Sequence, residues 1–110
     1  MSSLTLPEAQ LLWWEGCPST ARAHQLLREA LAGEGLDPDG VKLVEIETEG
    51  DAERERFVGS PTIRIGGVEV APVRDEPAGL SCRVYRLRDG SVSPTPDPED
   101  IREAIREAIS

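Results

Sequence analysis

The stretch Leu11–Thr20 reads LLWWEGCPST and sets the strongest constraint on how this chain can fold. An apolar run stops at Glu15 and Gly16, Cys17 stands directly before Pro18, and beyond Pro18 the apolar residues recur at helical spacing. That succession predicts a strand, a sharp turn and a cysteine at the start of a helix. Proline suits the first helical position because its φ is already helical and the N–H it lacks would have no partner there. Cys17 is therefore expected at or near the N-cap, where free backbone N–H groups and the positive end of the helix dipole favour thiolate over thiol.

The neighbouring segments extend this unit. Ala9–Trp14 is almost unbroken apolar sequence, as in a central strand covered on both faces. Ala23, Leu26, Leu27, Ala30 and Leu31 share one helical face, predicting an amphipathic helix from Pro18 to about Ala32 that ends at Gly33 and Gly35. Val41–Thr48 supplies a second, less buried strand, and strand, helix and strand in this order form a βαβ unit with parallel strands. Glu49–Phe57 reads as a short charged helix anchored by Phe57. After Gly59-Ser60-Pro61, Thr62–Ile65 and Val68–Val70 alternate around Gly66-Gly67, the signature of an antiparallel hairpin.

Residues 71–96 are rich in Pro, Gly and Arg with one strand-like patch, Cys82–Leu87, and read as an irregular excursion. Asp97 then caps a last helix that starts at Pro98, with Asp100 at the capping-box position and Ile101, Ile105 and Ile109 as the expected buried stripe. The expected order is β-α-β-α-β-β-α, an α/β fold in a single domain spanning residues 1–110.

A net charge of −9 repels phosphate, so neither nucleic acid nor an anionic membrane is an expected partner. No apolar run approaches the length of a membrane span, and the N-terminus lacks the pattern of a secretory signal. A cytoplasmic location is expected. In that reducing setting the two cysteines suit catalysis, redox chemistry or metal binding better than a structural staple. No motif calls for a cofactor.

A central strand, a cysteine opening the first major helix, a Ser-Pro-Thr before a hairpin and a closing helix together resemble the thioredoxin and glutaredoxin superfamily. The resemblance runs from Ala9 to Val70 and resumes at Asp97. It implies a thioredoxin-like fold with a mixed four-stranded sheet flanked by helices. It also implies a cis Pro61 facing Cys17, with Ser60 and Thr62 on either side. Cys17-Pro18-Ser19-Thr20 resembles the family's Cys-Pro-x-Cys with Thr20 in place of the second cysteine. A Thr20 hydroxyl can still hydrogen-bond a thiolate one helical turn back, but it cannot close a disulfide. Two-cysteine chemistry must then recruit Cys82. If Pro61 marks the active-site end of its strand, the hairpin returns the chain to that end and brings the excursion with it.

On this basis the chain is expected to be a thiol-disulfide oxidoreductase or redox-responsive protein. Cys17 would be its nucleophile, Cys82 its candidate resolving thiol, and a protein or a small-molecule thiol or disulfide its partner. Cys82 also fits a small buried residue, and nearby Arg83, Arg86 and Arg88 fit either thiolate support or a solvated strand. Trp13 and Trp14 suit core and sheet cover, and His24 falls off the apolar stripe. Arg22 does not fit the Cys-x5-Arg loop of cysteine phosphatases. Two alternatives stand beside the redox reading. Organomercurial (alkylmercury) lyases also join a Cys-x-x-Asp motif to a distant cysteine, which would make Cys17 and Cys82 soft-metal ligands. Thr20 here replaces the aspartate that would donate a proton. A thioredoxin-fold binding domain without chemistry is the other alternative.

Overall fold

The computed structural model describes residues 7–71 and 76–109. Strand β1 (Ala9–Trp13) is followed by helix α1 (Thr20–Gly33), strand β2 (Val41–Glu45) and helix α2 (Glu49–Glu55). The hairpin strands β3 (Thr62–Ile65) and β4 (Val68–Glu69) come next, then the short strands β5 (Tyr85–Arg86) and β6 (Val92–Ser93) and helix α3 (Pro98–Ile109). The chain is a mixed α/β fold. Its four-stranded sheet has the order β2-β1-β3-β4, with β1 and β2 parallel and the β1–β3 and β3–β4 pairs antiparallel. No helix among the described residues is long and apolar enough to cross a membrane.

Alternation along β1 separates two cores. Leu11 points into a layer with Leu26, Leu27 and Leu31 of α1, Ile63 and Ile65 of β3, and Ile101 and Ile105 of α3. Leu12 points to the other face, where it joins Ile46, Ala52 and Phe57, with Trp14, Ala78 and Leu80 at the margin. Phe57 follows α2 rather than ending it: Arg56 closes the helix in the left-handed region, and the Phe57 N–H then donates to Ala52 O at 2.8 Å. Thr48 caps the start of α2 by accepting from the Asp51 N–H at 3.0 Å. Gly66 and Gly67 turn the hairpin with φ of 60° and 84°, a left-handed pair that glycine adopts without steric cost.

The structure departs from the sequence reading at four places. The excursion holds a two-stranded hairpin, β5–β6, in addition to the patch around Cys82. Helix α1 begins at Thr20 with Ser19 as N-cap, two positions later than a start at Pro18. The cause is local: the Cys17 N–H bonds back to Trp14 O at 3.0 Å, so Cys17 closes a turn with β1 and does not open the helix. The first rung of α1 runs from the Ala23 N–H to Ser19 O. Strand β2 ends at Glu45, short of Thr48, and as an edge strand with Leu43 exposed it has the lower burial expected of it. Finally, Ile101 and Ile105 are fully buried but Ile109 is 45% exposed. Each four-residue step advances about 40° around a helix, so the third isoleucine has rotated off the sheet.

Ile105→Ala is expected to lower the unfolding free energy by about 2–5 kcal/mol through a core cavity. Ile109→Ala is expected to change it by no more than about 0.5 kcal/mol, as for an exposed site. Urea denaturation of the two variants checks this contrast.

Candidate functional site

The register of the sheet places the site. Leu12 of β1 pairs with Thr62 of β3, so Ser60 and Pro61, which precede Thr62, lie beside the C-terminal end of β1, where the chain turns into Cys17. Ser60 is fully buried and its hydroxyl accepts from the Trp14 N–H at 3.1 Å. The Cys17 thiol donates to Ser60 O at 3.4 Å. The Ser60–Pro61 peptide is cis.

Residues 78–83 form a strap laid along residues 57–60. The Gly79 N–H donates to Phe57 O at 2.9 Å, and the Ser81 hydroxyl to Val58 O at 3.2 Å. Ser60 then pairs with Cys82 in a parallel bridge, its N–H donating to Ser81 O at 2.7 Å and its carbonyl accepting from the Arg83 N–H at 2.8 Å. Ser60 O therefore accepts from both the Cys17 thiol and the strap, which brings the two cysteines together. Gly59 permits the close approach: its φ is 151°, and a Cβ there would lie 2.5 Å from Arg83 Cγ. Both thiols are free; Cys17 is buried at 5% exposure, whereas Cys82 is exposed.

A clasp holds the strap in place. The Arg83 guanidinium donates to Thr62 Oγ1 at 3.2 Å and to Glu69 Oε1 at 3.0 Å, and lies 4.6 Å from the centre of the Tyr85 ring. Glu69 Oε2 accepts from Arg64 at 2.9 Å, so one carboxylate ties the hairpin to the strap. The buried Tyr85 hydroxyl donates to Pro61 O, and burial pushes its ionisation up. Thr62 faces inward as well, its hydroxyl donating to Gly59 O at 2.7 Å.

The sequence-derived residues thus separate. Cys17, Ser60, Pro61, Thr62 and Cys82 converge. Pro18 lies in the turn before α1. Thr20 Oγ1 is buried without a hydrogen-bond partner and makes no bond to Cys17 in this state. Of the two readings of the arginines, thiolate support is not the one built: Arg83 is held by the clasp, Arg86 donates to Gly90 O, and Arg88 pairs with Asp100 and Glu103. Among the described residues no group of three or more His, Cys, Asp or Glu side chains is placed to hold a metal ion. The clasp residues Glu69 and Tyr85 were not singled out from sequence. The alternation of Arg83 and Tyr85 with the exposed Val84 is the period-two signal that places both on one face.

No protein-family model, curated protein or solved structure matches the chain. A hydrogen bond to the Cys17 sulfur is the main cause that pushes the Cys82 thiol up to about 11, with desolvation and the charge of an ionised Cys17 adding to it. A raised value means that Cys82 keeps its proton through neutral pH, and its thiolate appears only as the pH climbs toward that value.

Two outcomes are expected. The alkylation rate of Cys82 should rise late, in the strongly alkaline range, and in Cys17→Ala its midpoint should move down toward that of an ordinary thiol; rates measured across pH with peptide mapping check this. Tyr85→Phe, which leaves the Pro61 carbonyl without its donor, should destabilise the fold by about 1–2 kcal/mol. It should also speed native-state alkylation of Cys17, since a loosened strap opens more often. Denaturation and site-resolved alkylation of the same variant report both effects.

Proposed function

We propose that the protein is a thiol-disulfide oxidoreductase or redox-responsive protein of thioredoxin-like fold, with Cys17 and Cys82 as its redox pair. The observation that carries this reading is the convergence of two free thiols on one backbone group: the Cys17 thiol bonds Ser60 O, and Cys82 is bridged to the same residue. The sheet order β2-β1-β3-β4, with its parallel β1–β2 pair and antiparallel β3–β4 hairpin, supports the fold part of the proposal.

The chemistry is a two-electron exchange. An external disulfide accepts the electrons of the two thiols and leaves as two thiols, while a sulfur–sulfur bond forms between Cys17 and Cys82. The reverse reaction uses an external thiol as reductant. Cys17 serves as the nucleophile within the pair, its thiol positioned by the Ser60 carbonyl to which Cys82 is bridged. Thr20 Oγ1, a buried donor without a partner, is available to a negative charge formed nearby.

Treatment with a small-molecule disulfide is expected to convert the reduced chain into a monomeric form lacking the mass of two hydrogens, with both thiols lost to alkylation. Cys17→Ser and Cys82→Ser should each abolish that product. Intact-mass analysis checks it, and oxidation that yields only intermolecular dimers or separate adducts on each cysteine would sink the reading.

A further inference from the structure

The two sulfurs of the pair differ sharply in access. Cys17 is 5% exposed and its thiol donates to Ser60 O. Cys82 is exposed, and it lines a cleft of about 680 Å³ together with Val58, Val84, Tyr85, Arg86 and Asp100. That volume is within the range of small-molecule sites, roughly 300–1,000 Å³. The strap that carries Cys82 is fixed by its pairing with Ser60 and by the Arg83–Glu69 ion pair.

Exchange between thiols and disulfides requires an approach to the sulfur under attack, so the rate at each sulfur follows its accessibility as well as its leaving group. We infer that Cys82, and not the buried Cys17, is the sulfur through which the protein exchanges with external partners, and that those partners are small-molecule thiols entering the cleft beside the strap. The inference rests on the redox pair proposed above and adds the direction of traffic through it.

In the reducing direction the external thiol loses its proton to solvent and its sulfur attacks Cys82 Sγ. The Cys17–Cys82 bond breaks, a mixed disulfide forms on Cys82, and Cys17 leaves as the thiolate. A second external thiol then attacks the mixed disulfide, leaving as a small-molecule disulfide and freeing Cys82. In the oxidising direction Cys82 loses its proton to solvent and attacks the small-molecule disulfide, expelling one thiol and keeping the other as a mixed disulfide. Cys17 then loses its proton and attacks Cys82 Sγ, forming the Cys17–Cys82 bond and expelling the second small thiol. Cys17 acts only inside the pair, where burial does not obstruct it.

The test is a trapping experiment on the unmodified chain. The oxidised protein is mixed briefly with glutathione, quenched in acid, capped with N-ethylmaleimide and mapped by peptide mass. Glutathione on Cys82 with maleimide on Cys17 is expected in at least about tenfold excess over the opposite labelling. Glutathione on Cys17 in equal or greater amount overturns the inference and leaves the redox pair standing. If oxidation produces no Cys17–Cys82 disulfide to open, the pair itself is refuted and the inference falls with it.

Discussion

Ser60 is the residue on which the arrangement of the site depends. Its hydroxyl fixes the end of β1 at Trp14, its carbonyl accepts from both Cys17 and Arg83, and its N–H holds Ser81. A buried polar group left unpaired costs about 1–3 kcal/mol, so each of these bonds is held in place by the penalty for losing it. Three segments far apart in sequence therefore meet on one serine: the turn after β1, the lead into β3, and the strap before β5. None of them has the regular structure to bring the others together alone.

The charges around Ser60 reinforce this and explain why the strap sits where it does. Glu69 on the short strand β4 pairs with both Arg64 and Arg83, one carboxylate oxygen to each. The Arg83 and Glu69 side chains are 9% and 20% exposed, a setting in which breaking one partner leaves an uncompensated charge. The site is thus organised by polar contacts on the outside of the sheet's end, while the apolar layers on the two faces hold the strands that carry them.

Much of the frame was legible in sequence because it follows local rules. The apolar run of β1, the helical spacing of α1, the paired glycines of the β3–β4 hairpin and the Asp97-Pro98 helix start are all patterns that span a few residues. The strap was not legible. Residues 78–81 show neither helical nor strand period, and what holds them is the backbone of residues 57–60, some twenty positions earlier. Side chains do not encode such pairing. The bond from Cys17 to Ser60 was hidden for the same reason, since the two residues lie 43 positions apart. Where local pattern was followed too literally, at Ile109 and at the start of α1, helix rotation and the turn bond from Cys17 to Trp14 set the outcome.

The separation of the two cysteines along the chain gives their proximity a mechanical meaning. A bond joining positions 17 and 82 ties β2, both early helices and the β3–β4 hairpin into one covalent ring. Closing a ring of that size removes denatured-state freedom worth about 4 kcal/mol in the chain-entropy account. For a small domain whose whole stability is about 5–15 kcal/mol, that is a large fraction. In the proposed redox pair, opening the ring returns that freedom to the denatured chain, so the same bond that would carry electrons would also set how long the chain withstands proteolysis.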